Sequence, residues 1–305
     1  NTLDPERIKL YPAAGKGLNM NLVLSMAAGY DFEKVRFFTE TFHTANVDAD
    51  IVFFITEHEN SFREAQNSFP RLKYVLIDPP FQPGSIITKI GSRLNAVVGK
   101  VRNLIDKTKE SRRSTMQYTL IPHCWRYIIA NLYLESLEQK PQQVMLADSR
   151  DVYFQANPFL NTEDVLVCGR ESQTIFSSHI NYTWAKRFLS SKEIEQIQYN
   201  VVSCSGVTYG SYNKIKMYID IMEEEFLNRL LRVSGAIADQ ALHNWIVYSR
   251  TKALNVKWAD NGDEHIYTAG TSLGREVRIQ GLTVHTLDGQ LVDVVHQLFP
   301  RVRKN

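Results

Sequence analysis

Three short apolar runs, separated by helix-patterned segments, constrain this chain more than any other feature. Leu22 to Ala27, Ile51 to Ile55 and Tyr74 to Ile77 are too short for buried helices and lack the polar alternation of half-wet strands. They read as strands covered on both faces, the first closed by a turn at Ala28-Gly29. Between the first two, Phe32, Val35, Phe38 and Phe42 recur at helical spacing behind Asp31, a residue suited to cap them. Between the second and third, Asn60 to Asn67 is mostly polar and reads as a helix. This alternation within the first 80 residues predicts an α/β fold with a mostly parallel central sheet flanked by helices.

Downstream the pattern loosens. Asp78 to Gly84 is rich in proline and interrupts the alternation; a helical stretch is expected from Ile86 to Asp106, then a polar link from Lys107 to Ser114. Trp125 to Leu137 reads as a helix with Tyr127, Ile128, Leu132 and Leu134 turned inward, and Val144 to Ala147 as a fourth buried strand. Val165 to Cys168 and Val201 to Cys204 read as strands, Tyr212 to Leu231 and Ile237 to Tyr248 as helices. Short strand-like pieces follow at His265 to Tyr267, Val277 to Ile279 and Val292 to Val295. No repeat, low-complexity tract or Gly/Ser linker divides the 305 residues. A single domain over 19–305, less regular in its second half, is expected behind an N-terminal extension over 1–18.

Thirty-five basic and 33 acidic side chains leave a formal charge of +2. That field is too weak to hold a nucleic-acid backbone, so nucleic acid is not an expected partner. No apolar run approaches the ~20 residues that cross a bilayer. Cys124, Cys168 and Cys204 cannot build a disulfide framework, and none lies in a Cys-x-x-Cys pair; each sits among apolar neighbours, as packed thiols do. Residue 1 is Asn, so a processed or trimmed chain is expected, with any leader of the parent left open. The sequon Asn181-Tyr182-Thr183 permits a secretory lumen without requiring it, and the cytoplasm stays equally open.

Chemistry concentrates at the end of the fourth strand. Ala147 is followed by Asp148-Ser149-Arg150-Asp151, and apolar residues resume at Val152. In open α/β sheets ligands gather beyond the carboxyl ends of the strands, where this turn must lie. Two neighbouring carboxylates repel unless a cation joins them. A hard divalent ion, Mn²⁺ or Mg²⁺, is the natural occupant. A turn whose aspartates merely cap backbone N–H groups is the structural alternative.

The run Asp148-Ser149-Arg150-Asp151-Val152-Tyr153-Phe154-Gln155, with Asn157-Pro158-Phe159 behind it, resembles the aspartate motif of GT-A glycosyltransferases. More narrowly it resembles a branch with an Asp-x-Arg-Asp-Val-x-Phe-Gln signature, distantly similar to the glycogenin and lipopolysaccharide galactosyltransferase group. Further matches follow in chain order. Arg126-Tyr127 stands where that group keeps a basic residue near the sugar nucleotide. Cys204-Ser205-Gly206-Val207 resembles its Asn-Ser-Gly-Val strand, with Cys204 in place of Asn. Asp239-Gln240-Ala241-Leu242-His243-Asn244 resembles its Asp-Gln-Asp-x-Leu-Asn helix start, and His296-Gln297 its late metal-site histidine.

The resemblance implies a GT-A, Rossmann-like fold in which residues 19–155 bind a nucleotide diphosphate sugar and 156–305 face the acceptor. It implies metal-dependent transfer of a sugar, from a UDP-sugar ahead of a GDP-sugar, to a hydroxyl on a glycan or glycoconjugate. Asp151 and His296 would bind the metal, and Asp148 the metal or the ribose and sugar. Arg126, Ser205, Gly206 and Gln240 would belong to the substrate site. The family's usual motif is Asp-x-Asp; the Asp-x-x-Asp spacing here leaves Asp148 less defined than Asp151.

Some residues keep two readings. Ala27 and Tyr30, at the first strand's turn, either receive and stack on a uracil or simply pack between strand and helix. Asp239, at a helix start, either caps that helix or faces the donor sugar, kept ionised by free N–H groups, as general base or charge-stabilising carboxylate. A nucleotidyltransferase shares the sheet and carboxylates but calls for a Gly-rich loop after the first strand, where only Ala27-Ala28-Gly29 stands. A non-catalytic nucleotide-sugar or glycan binder has no need of Asp239 and His296 beside both aspartates. Ala13-Ala14-Gly15-Lys16-Gly17 follows Tyr11-Pro12 rather than a strand and lacks the Ser/Thr of a P-loop. Lys107 to Arg113, with Glu110 among its basic residues, reads as a solvated loop, or second as a site for an acidic acceptor.

Overall fold

The computed structural model describes residues 20–77, 108–117, 119–159, 163–272 and 274–298. The expected break at 78–84, the helix at 86–106 and the glycine-containing stretch at 13–17 lie outside them. Seven strands form the central sheet: β1 (Asn21–Ala27), β2 (Asp50–Ile55), β3 (Leu72–Leu76), β4 (Gln143–Asp148), β6 (Leu166–Thr174), β7 (Val201–Ser211) and β8 (Val256–Asp260). Their order across the sheet is β3-β2-β1-β4-β7-β6-β8, and only β7 runs against the others. The mixed α/β architecture with a mostly parallel sheet is therefore present, and strands from both halves of the chain share that sheet.

Alternation along the strands loads both faces, as a parallel sheet requires. Leu22 and Leu24 join Val52, Phe54 and Leu146 in one core. That side is covered by α4 (Pro122–Ser136), α6 (Tyr212–Asn228) and α7 (Asp239–Ser249). Val23 joins Ile51, Phe53 and Met145 in the other core, beneath α1 (Arg36–Thr44) and α2 (Glu59–Gln66). Asp31 does cap the turn ahead of α1, accepting from the Lys34 N–H at 3.2 Å.

A second, three-stranded sheet is ordered β5 (Val152–Phe154), β12 (Val294–His296), β9 (Ile266–Thr268). Phe154 anchors it edge-on against Phe38 and Phe42, with ring centroids 5.1 and 5.4 Å apart. Gln155 donates to the Val284 and Val292 carbonyls at 3.0 and 2.7 Å and accepts from the Val284 N–H at 2.9 Å. That carboxamide pins the hairpin β10 (Val277–Gln280) and β11 (Thr283–Thr286). The Phe-Gln tail of the aspartate motif is thus architectural. Its effect is to hold His296 opposite Val152, beside the end of β4.

One expectation is corrected. Residues 109–117 are helical, as α3 (Lys109–Gln117), rather than a solvated link. Arg113 on that helix is buried, bonding Glu135 at 2.5 Å and Glu223 at 3.1 Å. Burial works against the Glu135 carboxylate, but Arg113 and Lys109 outweigh it and hold the carboxyl at about 2. A helix docked through charge pairs leaves no apolar period in the sequence, which is why the pattern missed it. Asn181 of the sequon lies in α5 (His179–Phe188). Its side chain is buried, donating to Ser178 Oγ at 2.9 Å and accepting from Gln240 Nε2 at 3.2 Å. In the folded chain it is no acceptor for a glycan.

His243, under β7, is fully satisfied as a neutral ring: Tyr218 Oη lies 2.8 Å from Nδ1 and Ser203 Oγ 2.9 Å from Nε2. Burial, with Arg126 nearby, depresses it from 6.5 to about 3. The unfolded imidazole takes up a proton near pH 6.5 and the folded one only near 3. This contribution to stability is therefore complete above pH 6.5 and drains by about 1.4 kcal/mol per pH unit as pH falls through that window. Urea midpoints between pH 7.5 and 4.5 are expected to fall steeply, with a shallower slope, by about one proton, in His243→Gln. Equal slopes in the two proteins would contradict it.

Candidate metal centre and cleft

The carboxyl end of β4 is fixed to its neighbour by side chains. Ser25 Oγ donates to the Ala147 carbonyl at 2.7 Å, and Ser149 Oγ donates to the Met26 carbonyl at 2.8 Å. Beside it, β7 runs the other way, with Ala147 opposite Val207, so Gly206 falls level with Asp148 and Ser205 lies past the end of β4. From the far side β12 delivers His296. Asp148, Asp151 and His296 therefore meet from two strand ends and a turn, and their ligand atoms all lie within 4.8 Å of one another.

The three side chains fit a cation. His296 Nε2 is 3.6 Å from Asp151 Oδ1 and 3.8 Å from Asp148 Oδ2. Both gaps are too long for hydrogen bonds, and this buried nitrogen has no hydrogen-bond partner among the described residues. Cys204 Sγ lies 3.4 Å from the other ring nitrogen, Nδ1. That contact orients the ring as a second-layer partner of a ligating histidine does, leaving Nε2 for the carboxylates. Gly206 makes the fit possible: a Cβ there would stand 2.6 Å from His296 Nε2 and closer still to Cε1. Burial disfavours the imidazolium, but Cys204 and Asp151 outweigh it and hold His296 well above its ordinary value. Burial likewise pushes the Asp151 carboxyl up, and His296 more than reverses this. A proton on Nε2 and a divalent ion would compete for one place.

Arg126 organises the other wall. Its guanidinium pairs with Asp148, bonds Asp239 Oδ2 at 3.2 Å, and reaches the Ser205 carbonyl at 3.1 Å and the Tyr127 hydroxyl at 3.0 Å. Asp239 is the first residue of α7, but the N-cap position belongs to Ala238. The Asp239 Oδ1 atom is buried without a hydrogen-bond partner among the described residues. Asp239 thus sits one position past the N-cap, where the Gln240 N–H still favours its carboxylate. Burial raises the Asp239 carboxyl above the usual range against the pull of Arg126 and His123; the expectation that the helix start alone keeps it charged left out this desolvation.

Arg126, Asp148 and Asp151 face a cleft of ≈ 360 Å³ whose lining also includes Met26, Ala28 and Tyr30, while Asp239 and His296 are buried and outside that lining. Tyr30 lines it, with the Arg150 guanidinium 5.4 Å from its ring centroid. Ala27 does not: strand alternation turns it into the core beneath α1, and Ala28 takes its place. Ser205 and Gln240 hold each other instead of facing open space. The Gln240 Oε1 atom accepts from the Ser205 N–H at 2.9 Å, and its Nε2 donates to the Ser203 carbonyl at 2.9 Å.

Four further residues join the site without having been singled out for it. Cys204, a packed thiol standing where the resembled strand has Asn, orients His296. Ser149 and Arg150 lay inside the aspartate motif. His123 follows Pro122 at the start of α4 and lines the cleft, a position nothing in its local sequence signalled. Burial pushes the Cys204 thiol up, so the sulfur serves as an orienting contact rather than a nucleophile.

The cradle makes a sharp prediction. If the cluster holds a divalent cation, Gly206→Ala is expected to drive the imidazole out of line and weaken that binding by about 10–100-fold, the range for disturbed outer-layer contacts. Calorimetry with Mn²⁺ alone checks it, and an unchanged affinity would remove His296 from the ligand set. No protein-family model matches this sequence, and no curated protein matches it.

Proposed function

We propose that this cleft transfers a glycosyl group from a nucleotide diphosphate sugar, a UDP-sugar ahead of a GDP-sugar, to a hydroxyl acceptor on a glycan or glycoconjugate, as a GT-A glycosyltransferase. The observation that carries the reading is the Asp148–Asp151–His296 cluster at the carboxyl end of a central strand, with both aspartates lining a cleft of ≈ 360 Å³. The aspartate motif's resemblance supports it. Asp148, Asp151 and His296 would hold Mn²⁺ or Mg²⁺. Such an ion neutralises a diphosphate and stabilises the charge that grows on it as it leaves.

The chain's own residues then have distinct tasks. Tyr30, backed by Arg150, offers an aromatic face to the base. Arg126, locked between Asp148 and Asp239, presents fixed positive charge beside the sugar and diphosphate. In the transfer the acceptor oxygen bonds to the anomeric carbon as the bond from that carbon to the diphosphate oxygen breaks. The electron pair departs with the nucleoside diphosphate. The hydroxyl proton passes to a carboxylate, and Asp239, buried and raised above the usual carboxylate range, is matched to that role.

The test is release of free sugar from a panel of UDP- and GDP-sugars, with Mn²⁺ and with chelator. Mn²⁺-dependent hydrolysis of at least one UDP-sugar is expected. A panel with no cation-dependent turnover of any donor would overturn the assignment.

A further inference from the structure

Beyond the cleft, β6 and β7 continue together to the pair Thr174 and Val201. There the chain turns: the Ile175 and Phe176 N–H groups donate to the Asn200 and Gln198 carbonyls at 2.9 and 2.8 Å. Three aromatic rings gather on this turn. Phe176 stands 5.1 Å from Tyr182 of α5 and 5.9 Å from Tyr199, centroid to centroid. They are not core residues: Phe176 is 50% exposed and Tyr199 72%. The α5 helix that carries Tyr182 is tied to the cleft, because Asn181 accepts from Gln240, the neighbour of Asp239.

From this exposed aromatic turn, joined to the cleft by one hydrogen-bonded helix, we infer that Phe176, Tyr182 and Tyr199 form a platform for an oligosaccharide acceptor; the inference rests on the glycosyl-transfer reading of the cleft. Ser205 lies four residue steps beyond Val201, about 13 Å along β7, so the platform lies sugar units away from the cleft rather than at the point of transfer. It selects chain length, not the sugar at the point of transfer. Pyranose rings present C–H faces that stack on aromatic side chains while their hydroxyls stay wet, and the polar rim supplied by Thr174 and Ser177 suits that. A protein partner fits less well. Fully burying an aromatic side chain covers ~150–250 Å², so even all three rings fall short of the ~800 Å² per side of a stable interface.

The experiment titrates the whole protein with maltohexaose, cellohexaose, xylohexaose and β-1,4-galactohexaose, and with each parent monosaccharide, by calorimetry. At least one hexaose is expected to bind more tightly than its monosaccharide. Phe176→Ala/Tyr199→Ala should weaken that hexaose by about 10-fold or more, whereas Phe176→Tyr/Tyr199→Phe, which keeps the rings, should retain it. Absence of binding by all four hexaoses, or equal binding by the alanine variant, overturns the platform. Self-association that the alanine variant abolishes, seen by sedimentation without hexaose binding, overturns it in favour of an interface between copies. UDP with Mn²⁺ is titrated in parallel. Hexaose binding without UDP binding would remove the transfer reading and leave a glycan-binding face; UDP binding without hexaose binding would remove the platform alone.

Discussion

Asp151→Ala is expected to lower Mn²⁺ affinity by more than about 100-fold and to abolish Mn²⁺-dependent hydrolysis of the nucleotide sugar, with the melting temperature held within a few degrees. The loss is large because a carboxylate is removed from a three-residue donor set, beyond what disturbing an outer contact costs. The fold is spared because the structural work at this position belongs to the main chain. The Asp151 carbonyl accepts from the Gln297 N–H at 2.7 Å, and alanine keeps that bond. Calorimetry with Mn²⁺, hydrolysis assays and thermal melts on one preparation check all three parts. Wild-type Mn²⁺ affinity in the variant would remove Asp151 from the metal centre. Collapse of the melting temperature would make the turn a structural device instead.

Asp239→Asn carries the second large effect, a fall in turnover of ~10²–10⁴, the range for removing a positioned proton acceptor. The amide is nearly isosteric and can still accept from Arg126, whose other carboxylate partner, Asp148, is untouched. Donor affinity and melting temperature are therefore expected to stay close to wild type. Turnover within a few-fold of wild type would reduce Asp239 to a counter-ion of Arg126. Loss of UDP affinity in parallel with rate would instead place Asp239 in donor binding.

The sheet was legible because its strands are buried on both faces. Runs such as Ile51 to Ile55 have no other stable use in a water-soluble layer, and their spacing left room only for helical crossovers. The aspartate turn was legible for a related reason, since an apolar strand that ends in two carboxylates must deliver them to the sheet's rim. What the sequence hid was held in place by contacts between distant residues. Arg113 docks α3 through Glu135 and Glu223, so no hydrophobic period announces that helix. Cys204 and Gly206 are ordinary strand residues until His296 is seen lying against them. Ala27 was drawn one position too early, because strand alternation sends it inward while the turn exposes Ala28.

Calorimetric titration of UDP and GDP, each with Mn²⁺ and with chelator, puts the proposed cation-dependent binding of a nucleotide to the most direct test. UDP is expected to bind with Mn²⁺ at least about 100-fold more tightly than with chelator, and more tightly than GDP. Diphosphate binding that is indifferent to Mn²⁺, or no binding of either nucleotide, would contradict it.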